Sequence, residues 1–199
     1  ETKALLYLMN FRTDSNEIYY FVVDFFNDLT GMDNMAKRLW DLQSKGAHNV
    51  GPKAIGRELV TLFKNYMSEF TFEAYILFVS SVSGEFRKDP SLTVFGIDNV
   101  KDSAIKLVKD GLIKEGKKKT YIDATNLTDE NIDRFLKAVV FVIDEGTPPS
   151  EYVKAIIKQH PNIIPEDKVL DAIFNEIRDE QSRKKNVSIV EGVVIETTD

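Results

Sequence analysis

The stretch FFNDLTGMDNMAKRLWDLQSKG, from Phe25 to Gly46, holds the side chains best suited to chemistry. Asp28 follows a hydrophobic strand candidate, and Gln43-Ser44-Lys45 ends the next one, fifteen positions later. Cleaving a phosphodiester with a metal takes oxygen ligands that hold the cation against a phosphate oxygen, plus a group that orients the attacking water. Asp28 offers a charged ligand, Gln43 an amide carbonyl and Ser44 its backbone carbonyl. Side chains alternate along a strand, so Asp41, Gln43 and Lys45 share one face while Ser44 points the other way. The Lys45 ammonium then stands over the water or the phosphate. Stabilising the pentavalent phosphate and activating the nucleophile are both open to it.

The elements that must position these residues are read from periodicity. Residues 3–9 form a short helix, and the β-rich run 17–26 a strand. Gly31 and Asp33-Asn34 mark a bend or hairpin connection, and residues 37–44 carry the second strand. Pro52 opens a helix whose Ile55, Leu59, Leu62, Phe63 and Tyr66 make one buried stripe. Residues 72–82 are a further strand. Past Pro90 the pattern predicts a helix over 100–113, a short strand over 120–122, a helix over 129–136 capped by Thr128, and a buried strand over 137–144. Helices starting at Pro148-Pro149-Ser150 and at Pro165 follow, reaching Gln159 and Gln181, and then one or two strands over 187–196. This order predicts a mixed α/β fold.

With Asp28, Gln43-Ser44-Lys45, the helix 52–68 and the strand 72–81 in that order, the chain resembles the double-stranded-DNA endonuclease domain of bacterial anti-phage effectors. That family is a branch of the PD-(D/E)xK superfamily, here in a Gln-x-Lys form. Beyond Pro90 the likeness is one of element order only. The resemblance implies a restriction-endonuclease-like α/β fold, a mixed central sheet flanked by helices with an α-rich C-terminal extension. It divides the chain into a nuclease core over 1–125 and an extension over 126–199, packed on the core as one domain. It also implies cleavage of double-stranded DNA in anti-phage defence with Mg2+ or Mn2+. Asp28, Gln43 and Lys45 would be catalytic, with Asp28, Gln43 and Ser44 holding the metal. Cutting two strands takes two active sites, which suits a homo-oligomer or a complex with other defence subunits.

Auxiliary residues each carry a second, plainer meaning. Asp24, four positions before Asp28, supplements the metal site or is a solvated strand end; Asp33 replaces Asp28 if the hairpin is shifted. His48 contacts phosphate or sits in a loop. Lys53, Arg57 and Lys64 line a DNA track or keep a helix soluble. Lys117, Lys118 and Lys119, and the Arg183-Lys184-Lys185 cluster, neutralise phosphates or serve as a solvated turn and a helix end. Trp40 is a core anchor or a stacking platform.

Composition narrows the rest. The chain has no cysteine and two histidines, His48 and His160, which removes thiolate chemistry and a histidine-rich zinc site. A net charge of -6 sets any basic track against an acidic whole. No P-loop and no Gly-x-Ser-x-Gly occurs. No apolar run reaches membrane-spanning length and the first ten residues lack a signal peptide's order, so a soluble cytoplasmic chain is expected. A different class of function fits the same fold: a non-catalytic nuclease-fold scaffold that binds protein or DNA, which the neutral Gln43 and the acidic surface suit.

Overall fold

The computed structural model describes residues 1–157, 165–183 and 194–196. Along the chain run α1 (Thr2–Asn10), β1 (Tyr20–Val23), β2 (Leu29–Met32), β3 (Leu39–Lys45), α2 (Pro52–Glu58), α3 (Val60–Tyr66) and β4 (Phe72–Val79). There follow β5 (Val94–Phe95), α4 (Asp102–Gly116), α5 (Asp129–Ala138), β6 (Val139–Ile143), α6 (Pro149–Ile157), α7 (Asp167–Arg183) and β7 (Val194–Glu196). The class is α/β with a mixed sheet and flanking helices, as the element order predicts. No helix among the described residues is long and apolar enough to cross a membrane.

The chain forms two compact units. The first, Glu1–Leu39 with Gly146–Asp199, pairs β1 antiparallel with both β2 and β7. Helix α1 buries Ala4, Leu5, Leu6 and Leu8, and the Thr2 hydroxyl donates to Gln181 Oε1 of α7 at 2.8 Å. The second unit, Trp40–Glu145, orders its strands β5-β6-β4-β3, with β4 and β6 parallel and β5 antiparallel to β6. Strand β4, FEAYILFV, buries every residue but Glu73, the near-continuous apolar run of a strand covered on both faces. The start of α5 and the Thr128 cap stand as read, the Thr128 hydroxyl accepting from the Asn131 N–H at 3.2 Å, while α5 runs two residues further than expected and β6 is confined to Val139–Ile143. Helix α5 and strand β6, read as part of the extension, belong to this second unit.

Several expectations are corrected. Residues 29–32 form β2 rather than a bend, with Gly31 facing Phe21 in the register. Strand β1 is confined to Tyr20–Val23, because Asp24 takes a left-handed backbone (φ 54) and turns the chain. Asp24 and Asp28 therefore face each other across a hairpin instead of sharing one strand. Residues 120–122 are turn and bend, not strand, despite their β-forming types. The helix begun at Pro52 breaks at Leu59 into α2 and α3. Strand β5 went unread, being two residues long. Residues 187–193, Gln159, His160, Lys184 and Lys185 lie outside the described residues.

One close approach fixes α2. A Cβ at Gly56 would overlap the backbone carbonyl of Val108, and one at Gly111 the carbonyl of Lys53, so α2 and α4 cross with their backbones in contact. Only glycine permits this distance. Gly56→Ala is expected to destabilise the protein by about 2–3 kcal/mol through overpacking, read as a lower urea midpoint with an unchanged m-value.

Candidate functional site

Strand β3 and the helix pair α2–α3 meet through three polar contacts. Asn65 Nδ2 donates to Asp41 Oδ2 at 2.7 Å, the Thr61 hydroxyl donates to Gln43 Oε1 at 3.1 Å, and Lys45 Nζ lies 3.1 Å from Glu58 Oε1. The strand residues advance by two, about 6.6 Å, while the helical partners retreat by four and then three, about 6 Å and 4.5 Å. The first spacing nearly matches and the second, across the break at Leu59, is shorter, so an antiparallel strand and helix face form a ladder that closes toward its outer end. The shared face expected for Asp41, Gln43 and Lys45 is thus borne by their partners, while Trp40 and Leu42 are fully buried.

Burial falls along the ladder. Asp41 is wholly buried, Gln43 and Ser44 are half-buried, and Lys45 is exposed at the strand end. Lys45 and Glu58 hold side-chain exposures of 44% and 24%, so their attraction is screened. Gln43 Nε2 also makes a long 3.5 Å contact to the Ser44 carbonyl oxygen.

The open end of the ladder borders a cleft of about 400 Å3. Gln43 and Thr61 line it from the ladder, Arg57 and Glu58 from α2, and Glu115, Lys119 and Tyr121 from α4 and the turn after it. Tyr121 also lines a smaller cavity of about 150 Å3, and its ring has Lys64 Nζ 5.8 Å from its centre.

The cations differ in how they are held. Lys53 pairs with Asp110 at 2.7 Å, and this hydrogen bond raises the Lys53 pKa above its ordinary value. Lys118 and Lys119 each lie 3.1 Å from Glu115; the Lys119 contact raises that ammonium's pKa and holds the Glu115 carboxyl low. Arg57 is exposed and makes no side-chain hydrogen bond or ion pair among the described residues. Lys117 is exposed after α4, and His48 is exposed in the loop between β3 and α2. The structure therefore brings Gln43, Arg57 and Lys119 to one cleft with Lys45 at its edge, and leaves Lys53, Lys117 and His48 outside its lining.

Asp28 and Asp24 belong to the first unit. Asp28 is half-buried beside β2, and its carbonyl accepts from the Asp24 N–H at 3.3 Å. Desolvation, and then the charge of Asp28, push the Asp24 carboxyl above its usual range. Asp33, the fallback ligand, instead caps its own turn: its Oδ1 accepts from the Lys37 and Arg38 N–H groups, and the Arg38 bond is the main cause of its lowered pKa.

Among the described residues no three His, Asp or Glu side chains gather where they would hold a metal. The donors near the cleft are nonetheless hard oxygens, the Gln43 amide carbonyl, the Ser44 carbonyl and the Glu58 carboxylate, a type that suits Mg2+ or Mn2+. Thr61 and Glu58 went unread in the sequence because the helix was read by its apolar stripe alone. Their signal was the polar spacing Glu58, Thr61, Asn65 on another face of that helix.

Asn65→Leu keeps the volume of the buried rung and removes its donor. It is expected to cost about 2 kcal/mol, because the Asp41 carboxyl loses a hydrogen bond it cannot replace from water, and chemical denaturation measures it. Comparison of the chain with protein-family models, curated proteins and solved structures gives no match.

Proposed function

We propose that the chain is a metal-dependent endonuclease that cleaves double-stranded DNA in anti-phage defence. The observation that carries the reading is that Gln43 and Lys45 leave one strand face side by side at the edge of an open cleft that also holds Arg57 and Lys119. Asp28, Gln43 and the Ser44 carbonyl would hold Mg2+ or Mn2+, Asp28 being assigned by its place in the motif. The cation, when bound, polarises a phosphate oxygen.

The chain's own residues do the rest. Thr61 fixes the rotamer of Gln43 by its hydrogen bond, so the amide oxygen is presented in one direction. Lys45, on a strand and not a loop, brings a positive charge to the phosphate as negative charge accumulates there. Arg57 and Lys119 neutralise backbone phosphates, Arg57 as a planar fork that takes two oxygens at once. A homo-oligomer or a complex with other defence subunits would supply the second active site that a double-strand cut requires.

A second reading retains the fold without the chemistry, as a protein- or DNA-binding scaffold. What favours it is that Thr61 and Glu58 already engage Gln43 and Lys45. Plasmid cleavage separates the two. Wild type with Mg2+ or Mn2+ is expected to cut, and Lys45→Ala to slow cutting by about 100-fold or more at unchanged melting temperature. Wild type that cuts no plasmid with either metal, alone or in any assembly, leaves the scaffold.

Binding gives an independent prediction. Arg57→Ala and Lys119→Ala should each weaken affinity for duplex DNA alike across sequences. Each should also reduce the slope of log affinity against log salt by about one, measured by fluorescence anisotropy at several salt concentrations.

A further inference from the structure

After α4 the chain turns through Lys117, Lys118 and Lys119 to Tyr121. The turn is held by its own backbone: the Lys119 N–H donates to the Gly116 carbonyl at 3.1 Å, and the Ile122 N–H to the Lys119 carbonyl at 3.2 Å. Ile122 and Leu127 pack over the buried Gly116. Tyr121 supplies none of these contacts and stands 48% exposed. It lines both the 400 Å3 cleft, with Arg57 and Lys119, and the 150 Å3 cavity, with Lys64 and Asn126. Lys64 Nζ stands over its ring, and no aromatic side chain among the described residues packs on it.

The acids of both cavities are already engaged. Glu58 and Glu115 are each met at 3.1 Å by a lysine from outside the cleft lining, Lys45 and Lys118. Asp123 of the smaller cavity is bound within its own turn, its Oδ1 accepting from the Thr125 N–H at 2.9 Å and the Thr125 hydroxyl at 2.7 Å. Arg57 is left without a partner among the described residues, and Lys119 shares Glu115 with Lys118. Two cavities thus bring spare positive charge to one exposed ring. Cations that follow a phosphate chain, interrupted by an aromatic on which a base can lie, are the features that bind a single strand whatever its sequence. Within a duplex each base is covered by its neighbours, so such a ring engages only a base released from the stack.

We propose that Tyr121 is a stacking platform for one unpaired base of a single-stranded DNA stretch, with phosphates taken by Arg57 and Lys119 in the cleft and by Lys64 in the smaller cavity. The inference rests on the reading of the cleft as a DNA site and narrows the substrate to DNA that carries, or opens into, an unpaired segment. It calls on no metal.

Fluorescence anisotropy of a labelled oligothymidylate of about ten nucleotides, titrated with the full chain in EDTA, tests it. Tyr121→Ala is expected to weaken binding about tenfold, with the melting temperature and the salt slope unchanged, and Tyr121→Phe to bind as wild type does. Tyr121→Leu keeps apolar bulk without a ring and should bind nearly as weakly as the alanine variant. An abasic strand of the same length and charge should bind wild type and Tyr121→Ala alike. The proposal is overturned if Tyr121→Ala or Tyr121→Leu holds the oligothymidylate as tightly as wild type, or if Tyr121→Ala loses the abasic strand to the same degree. Wild type that binds duplex DNA but not the oligothymidylate overturns it too, and leaves the nuclease reading in place. Wild type that binds neither removes the platform and the DNA site together.

Discussion

The second unit is organised by the fit of a polar strand face to a polar helix face. Asp41, Gln43 and Lys45 project from β3 toward Asn65, Thr61 and Glu58. A wholly buried aspartate is tolerable only where donors meet it, so the Asn65 contact sets the register of α3 on β3. Once that register is set, periodicity dictates the other two rungs, and α2 must bring residue 58 to the end of the strand. The glycine contact between Gly56 and Gly111 then sets how closely α4 approaches, and with it the distance across which Glu115 and Lys119 face Glu58.

The sequence made part of this legible and hid part for definable reasons. Alternation placed Asp41, Gln43 and Lys45 on one face, and proline and threonine signals placed the starts of α2 and α5. Strand β2 was hidden because Gly31 and the Asp33-Asn34 pair look like punctuation. Gly31 in fact sits within a ladder opposite Phe21, a long-range pairing that no local signal reports. Tyr121 looked like part of a strand, yet without a partner strand its residues turn, and the ring is left at the cleft edge. The partners Glu58, Thr61 and Asn65 were missed for the opposite reason, since their spacing was visible but only the apolar stripe of that helix was weighed.

The charges around the cleft are arranged locally, within a chain that is acidic as a whole. Lysines near the cleft are mostly neutralised locally, Lys53 by Asp110 and Lys118 and Lys119 by Glu115. Lys119 shares its carboxylate with Lys118, so Glu115 stays paired if either lysine turns away. Arg57, with no such partner among the described residues, offers its charge without any prior contact to break. Local arrangement, rather than the net charge of -6, decides what the cleft attracts.

The neutrality of residue 43 follows from the same ladder. A glutamate there would stand between Asp41, two residues earlier on the same face, and Glu58 on the next rung. Two unit charges about 7 Å apart repel by about 2 kcal/mol at the effective dielectric near a protein surface, and by more toward the buried end. One acid of the three would take up a proton or the rungs would splay. Glutamine avoids both outcomes: it fills the same space, accepts the Thr61 hydroxyl and carries no charge. At the exposed end the constraint relaxes, because Glu58 meets water and the Lys45 ammonium rather than a buried carboxyl. A carboxylate is thus better accommodated on the helix than on the strand, where its charge leaves undisturbed the buried rung that holds the helix in place.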